Sequence, residues 1–439
     1  MQKYAEDAMT EHLGKDLQPT FKKEEKYKLH PPFSNDLTQS EIDHIMKISI
    51  RRTERYRAMK TAGASESQIS KAFAKRRKMK IFTWNGVRDT IMSPTDSIKY
   101  YKSFFRAGFM VMQPTSGKVK AYVGGPDYRY FMYDMVSRGK RQVGSTIKPI
   151  LYTLAMQEGL SPCDKVPNIP QTFILADGTA WTSRSSSKHV GEMVTLKWGL
   201  ANSVNSISAW VLRQFTPEAV VQMAHKMGIT SHIDPVPSIF LGTSEISVKE
   251  MVAAFSIFPN KGVYNDPLIV TEIKDKYGNI LAQFYPRSKE VITERTAYLM
   301  CNLLENVVNK GTGIRLRYKY QLVADMGGKT GTTQSHADGW FMGITPELVG
   351  GVWVGAEDRS IHFQSLVNGQ GANMALPIWA LFLQKCYSDS SLHLNQPSFE
   401  IPRGMDMDLD CDDNKSEVKE KEDIVEGEKE KKQEKERFF

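Results

Sequence analysis

The run Gly328-Lys329-Thr330-Gly331-Thr332-Thr333, then Gly339-Trp340-Phe341-Met342-Gly343-Ile344, then Val349-Gly350-Gly351-Val352-Trp353-Val354 decides how this chain folds. Thr345-Pro346-Glu347-Leu348 between the last two is a turn sequence, so the three segments read as consecutive antiparallel strands. Far earlier, 109–113 and 118–124 flank Pro114-Thr115-Ser116-Gly117, a second hairpin. Between the two groups, 3.6-residue apolar patterning dominates, over 147–157, 196–215, 217–227 and 248–258. Strands at both ends of a helical middle predict an α+β domain: a central five-stranded antiparallel sheet shared by the two chain ends and covered by helices.

The flanks read differently. Residues 1–20 have the mixed pattern of one short amphipathic helix with nothing of its own to pack against. After Pro31-Pro32, helical patterning runs over 41–60, and Ser65 with Gln68 forms a capping-box spacing. Five of the six residues from Lys75 to Lys80 are basic, which reads as a solvated helix end. From Gly404 the chain is rich in Lys, Glu and Asp and should be disordered.

With 41% hydrophobic and 25% charged residues, the 439-residue chain can bury a large core and is neither collagenous nor disulfide-dense. Residues 404–439 hold 14 acidic and 8 basic groups, which leaves 50 basic against 36 acidic in 1–403. That body is basic, so its partners are expected to be anionic. No run of 18 uncharged apolar residues occurs, and the N-terminus lacks a signal-peptide core. Cys163, Cys301, Cys386 and Cys411 form no Cys-x-x-Cys, and the nine His form no His-Glu-x-x-His. Neither a metal nor a cofactor is therefore expected, and the cysteines leave the redox compartment open.

Ser-x-x-Lys occurs four times, at Ser137, Ser145, Ser185 and Ser416, but only Ser145-Thr146-Ile147-Lys148 opens an apolar helical run. At a helix start, free amides can stabilise an oxyanion, and residue i+3 shares the face of residue i. Lys148 can then reach the Ser145 hydroxyl, and a buried lysine near another cation loses basicity and can act as a neutral base. Alone, the tetrad reads more readily as a capping serine beside a surface lysine. Two further motifs change that balance. Ser203-Val204-Asn205, the sole Ser-x-Asn, interrupts an apolar helical region with polar groups that need a purpose. Lys329-Thr330-Gly331, the sole Lys-Thr-Gly, lies on a strand, where glycine lets a substrate backbone lie flush and the Lys and Thr side chains can meet a carboxylate.

Ordered Ser-x-x-Lys, Ser-x-Asn and Lys-Thr-Gly form the constellation of penicillin-recognising serine enzymes. The chain resembles the transpeptidase part of bifunctional class A penicillin-binding proteins, through Arg141-Gln142-Val143-Gly144-Ser145, Leu241-Gly242-Thr243, Gly311-Thr312-Gly313 and Asp338-Gly339-Trp340-Phe341 among others. Gln113 and Val143 depart from the Asp and Pro common there. The resemblance implies a D,D-transpeptidase that cross-links peptidoglycan stem peptides ending in D-Ala-D-Ala through a serine acyl-enzyme, releasing D-alanine and trapped by β-lactams. Ser145 would be the nucleophile, Lys148 its base, Ser203 a proton relay and Lys329 a source of positive field. Asn205 would hold the substrate amide, and Thr330, Gly331, Thr332 and Thr333 would line the carboxylate site, with the amides of Ser145 and Thr332 as oxyanion hole.

The resemblance also divides the chain into a remnant helix at 1–30 following an absent glycosyltransferase domain, a helical linker at 31–95, the transpeptidase domain at 96–395 and a charged tail at 396–439. It implies a periplasmic setting, attachment to the cytoplasmic membrane in a longer protein, cell-wall synthesis machinery as partner and no nucleic acid. A D,D-carboxypeptidase would use the same groups, a non-catalytic cell-wall scaffold would use the basic body, and a β-lactamase would need a water-activating carboxylate, for which the loop after Asn205 offers no Glu-x-x-x-Asn.

Overall fold

Five antiparallel strands form the central sheet of the structure, a computed structural model that describes residues 1–175, 177–184, 187–407 and 409–411. They are β1 (Phe105–Met112), β2 (Val119–Val123), β3 (Gly327–Thr332), β4 (Asp338–Ile344) and β5 (Val349–Ala356), ordered β3-β4-β5-β1-β2 across the sheet. β5 pairs with β1, Val352 opposite Phe109, so one ladder joins the early hairpin to the late one as the strand pattern predicted. β4 and β5 are buried along their whole length, which is why they read as unbroken apolar runs rather than alternating ones.

Helices that build the two cores and carry the site include α1 (Gln2–Glu11), α2 (Lys148–Gln157), α3 (Asn205–Arg213), α4 (Val248–Phe255), α5 (Glu294–Lys310) and α6 (Leu376–Tyr387). Alternate strand residues feed these cores. Met110, Trp340, Met342 and Trp353 join α2 to α5 on one face, while Phe109, Val111, Phe341 and Val352 join α1 and α6 on the other. Helix α5 was missed in the sequence, although buried Ala297, Met300, Cys301, Leu304 and Val308 repeat at helical spacing.

Three expectations need correction. The segment 1–30 is no unpartnered remnant: α1 continues through a π turn (His12–Leu17) into Gln18–Glu25, burying Ala5, Ala8, Met9, Leu13, Leu17 and Phe21 in the second core. Residues 31–95 are only partly helical, because after Gln39–Arg52, Glu54–Thr61 and Glu66–Ala74 comes a hairpin of Arg77–Thr83 and Gly86–Met92. The basic run at 75–80 therefore enters a strand, and a ribbon with one mostly exposed arm and with its buried residues, Ile81 and Phe82, adjacent on the other has little apolar alternation to betray it. The Ser65/Gln68 capping box does form.

The third correction concerns the tail. Phe399 is buried, Met405, Met407 and Leu409 pack on the first core, Lys197 Nζ donates to Leu409 O at 2.7 Å, and Cys411 is disulfide-bonded to Cys163. The early tail is thus a strap. A cysteine pairing across 248 residues leaves no local spacing to read. Residues 412–439 lie outside the described residues. Because closing so long a loop restricts the unfolded chain by about 3 kcal/mol or more, deletion of 404–439 should lower the melting temperature by several degrees relative to deletion of 412–439. Parallel thermal melts without reductant check this, and equal melting temperatures would remove the strap's structural role.

Candidate active site

Ser145 stands in a 3-10 turn, Gly144–Ile147, that runs straight into α2, whose first residue is Lys148. The turn is pressed against β3. Gly144 has φ of +54°, and a Cβ there would lie 2.9 Å from Thr332 O. Its N–H donates to Gly242 O at 3.0 Å, which brings in the Leu241-Gly242-Thr243 segment. Trp340 Nε1 of β4 donates to Gln142 O at 2.8 Å and fixes the approach to the turn.

The 196–215 pattern is not one helix. A short helix, Leu196–Ala201, is closed by Val204 N–H donating to Gly199 O at 2.9 Å, and α3 restarts at Asn205. Ser203 sits in the break with φ of +56°, a left-handed conformation costing about 1 kcal/mol or more for a non-glycine residue. That backbone presents Ser203 and Asn205 to Lys148, whose Nζ donates to Ser203 O at 2.6 Å and Asn205 Oδ1 at 2.7 Å and lies 3.4 Å from Ser203 Oγ. From the opposite side Lys329 Nζ donates to Ser203 Oγ at 2.9 Å and to Thr330 O at 3.1 Å.

Both lysines are fully buried, and among the described residues no Asp or Glu pairs with either. Burial, with the charge of Lys329 second, pushes Lys148 well below the ordinary lysine range. Burial alone pushes Lys329 down to about 7. A neutral amine has two N–H groups and one lone pair. The two short contacts of Lys148 use both hydrogens and leave the lone pair, while Ser145 Oγ makes no hydrogen bond among the described residues and is free to turn. The expected Ser145–Lys148 hydrogen bond is therefore absent among the described residues.

The Lys-Thr-Gly side chains divide. Thr330 Oγ1 pairs with Thr312 Oγ1 at 2.7 Å, and Thr332 Oγ1 accepts from Gly371 N–H at 2.9 Å. Thr333 turns inward, its Oγ1 donating to buried Asp338 at 3.2 Å and accepting the Asp338 N–H at 3.0 Å, so it supports the loop after β3 rather than facing the serine. Sequence reasoning missed Thr312 as a site residue, although its Gly-Thr-Gly setting was visible. Of the competing serines, Ser137 Oγ is engaged by Asp134 at 2.5 Å, and Ser185 and Ser416 lie outside the described residues. His336, in the loop after β3, is half-buried with φ of +58°. Gln113 holds the β1–β2 turn by accepting from Ser116 Oγ at 2.9 Å.

The family model of the penicillin binding protein transpeptidase domain matches residues 107–357, and that of the penicillin-binding protein middle domain matches 28–105. Penicillin-binding protein 1A of Aquifex aeolicus is 30% identical over 270 residues, covering 61% of this chain and 36% of that protein. Penicillin-binding protein 2D of Bacillus subtilis is 26% identical over 383 residues, covering 86% and 53%. The chain thus spans about a third to a half of the length of these relatives. Among solved structures, penicillin-binding protein 1A from Haemophilus influenzae superposes with a TM-score of 0.65 at 19% identity, covering 91% of this chain and 66% of that one. The PonA1 protein from Mycobacterium tuberculosis in complex with penicillin V gives 0.56 at 19% identity, covering 82% and 95%. At such identities the likeness is one of fold.

The depressed lysines carry a stability signature. From about pH 7 upward to the ordinary lysine range near 10.5, Lys329 is neutral when folded but protonated when unfolded, so stability rises with pH across that window. Lys148 adds in the same sense. Lys329→Met should flatten the rise in melting temperature between pH 7 and 9, leaving the shares of Lys148 and of the likewise buried and depressed Lys28. An unchanged slope would show that Lys329 is not depressed.

Proposed function

Because its residues 107–357 match the family model, this chain belongs to the penicillin-binding protein transpeptidase family, and we propose that it is a serine D,D-transpeptidase of peptidoglycan synthesis. The observation that carries this reading is the convergence of two buried lysines on Ser203 Oγ beside a serine hydroxyl with no partner.

In the proposed reaction Ser145 Oγ attacks the carbonyl of the penultimate D-alanine of a stem peptide, and its proton passes to the lone pair of Lys148. The oxyanion faces the amides of Ser145 and Thr332. Ser203, between the two lysines, passes a proton to the departing D-alanine as the C–N bond breaks and is replenished by the proton on Lys148, and the acyl group remains on Ser145. An amine of a neighbouring stem then attacks the ester carbonyl, the bond to Ser145 Oγ breaks, and the proton that the amine loses passes through Lys148 to Ser145 Oγ. Thr330, Thr332 and Lys329 receive the terminal carboxylate. That charge favours the protonated form of Lys329, restoring the field that burial suppresses. With Asn205 Oδ1 spent on Lys148, its Nδ2 remains for a substrate carbonyl.

β-Lactams would acylate Ser145 by mimicking D-Ala-D-Ala. The Cys163–Cys411 disulfide supports an oxidising, extracytoplasmic setting, periplasmic if the cell has an outer membrane. No helix among the described residues is long and apolar enough to cross a membrane. We place the domain beside the cytoplasmic membrane in a longer protein, with the cell-wall synthesis machinery as partner.

A fluorescent penicillin should label the wild-type chain and leave Ser145→Ala unlabelled, while Lys148→Ala, with no proton acceptor, should cut labelling by about a hundredfold or more. Labelling of Ser145→Ala at another serine would overturn the assignment. Since no carboxylate among the described residues bonds to Ser145, Lys148 or Ser203 to activate water, the penicilloyl mass on the intact protein should persist for many minutes after free drug is removed. Loss within seconds would mark a β-lactamase.

A further inference from the structure

Beyond the strand that leads to Ser145 lies a cavity of about 510 Å³ at the end of the sheet, where Arg106 near the start of β1 and Glu357 just past β5 come together. Arg52, Arg106, Lys140 and Arg141 line it, against the single acidic side chain of Glu357. None of Ser145, Lys148, Ser203 or Lys329 contributes to it.

Two of the four cations are costly where they stand. The side chains of Arg106 and Arg141 are only 12% and 13% exposed. Arg106 Nη2 donates to Glu357 Oε2 at 3.3 Å, but that carboxylate is 57% exposed and its charge is largely screened by water. Arg141 Nε donates to Asp338 Oδ1 at 2.7 Å, and Asp338 also serves Trp353 Nε1 at 3.0 Å, Thr333 and Arg359. Left over are Arg106 Nη1 and Arg141 Nη2, two buried nitrogens without a hydrogen-bond partner among the described residues. An unpaired buried donor costs about 1–3 kcal/mol, and more when charged. Burial accordingly drags the Arg106 guanidinium down to about 10.

The groups are also set in place. The Arg106 guanidinium lies over the Phe131 ring at 4.0 Å and that of Arg141 over the Trp353 indole at 4.8 Å, so both are oriented before any ligand arrives. Lys140 and Arg52 are exposed and add positive charge to the lining. Planar, fixed guanidinium forks with spare N–H groups match the paired oxygens of a carboxylate or phosphate.

We infer that this cavity binds a small multivalent oxyanion, of carboxylate or phosphate chemistry, through Arg106 and Arg141, with Lys140 and Arg52 completing its charge. The site is separate from the proposed acylation chemistry and is read by binding alone, so either reading can fail without the other.

Titration calorimetry of the full chain at low ionic strength, with pyrophosphate in one series and propane-1,2,3-tricarboxylate in another, tests it. Saturable one-to-one binding of at least one probe is expected, weakened about tenfold or more by Arg106→Gln and by Lys140→Glu and unaffected by the distant, charge-matched Lys276→Glu. Tighter binding of pyrophosphate assigns a phosphate ligand, and tighter binding of the tricarboxylate assigns a carboxylate one. If Arg106→Gln fails to fold, the exposed Lys140→Glu decides. No saturable heat with either probe, full affinity in Lys140→Glu, or equal weakening in Lys276→Glu would reduce the cavity to an unspecific basic surface and overturn the inference.

Discussion

Gly331 of β3 lies so close to the nucleophile turn that a Cβ there would stand 2.6 Å from Val143 O and 2.9 Å from Thr146 Cγ2. The geometry of the site depends on that contact. β3 is the edge strand of the sheet, so one side of its backbone is not spent on a neighbouring strand. An edge strand offers amides and carbonyls to an extended peptide, which suits the proposed substrate, but it also needs support from elsewhere. Here the support is the turn beside it, the Trp340 hydrogen bond to Gln142 O and helix α5 packed behind. A larger residue at 331 would separate the oxyanion amides from the serine they are proposed to serve, whatever else remained folded.

Burying Lys148 and Lys329 without a carboxylate is the electrostatic counterpart of that steric constraint. A carboxylate would stabilise the fold, yet it would also hold both ammonium groups charged and remove the lone pair that the reaction needs. The protein instead satisfies the lysines with neutral oxygens, Ser203 O, Asn205 Oδ1, Ser203 Oγ and Thr330 O, and accepts lower stability at neutral pH. Two large apolar cores, one on each face of the sheet, make that loss tolerable.

What could be read in the sequence depends on where physical constraints are local. The three motifs were legible because each needs a fixed residue order over three or four positions, and the late hairpin was legible because β4 and β5, buried on both faces, are largely apolar around a turn sequence. The break at Ser203 was half-legible: polar residues interrupted the pattern, but a left-handed serine has no sequence signature. Long-range pairings were silent. Nothing near Cys163 points to Cys411, the apolar stripe of α1 does not name α6 as its partner, and the spare nitrogens of Arg106 and Arg141 exist only once the sheet has closed. The hairpin at 77–92 was misread because its exposed positions carry charge and its buried pair, Ile81 and Phe82, is adjacent where a core-facing strand would alternate.

Thr312, overlooked in the sequence, shows how the distant parts become one object. Its N–H donates to Ala201 O at 3.0 Å, capping the helix that delivers Ser203, and its hydroxyl pairs with Thr330 at 2.7 Å. Lys329, next to Thr330, donates to Ser203 Oγ at 2.9 Å, two residues on from Ala201. The contacts close a ring, Ala201 to Thr312 to Thr330 to Lys329 to Ser203, in which helix end, loop and strand each fix the next. A ring restrains every member from two directions, so the position of the Lys329 amine against Ser203 is set by the fold and need not be assembled when substrate arrives. That preorganisation is the physical reason a Gly-Thr-Gly segment with no group of its own in the proposed proton transfers belongs to the site.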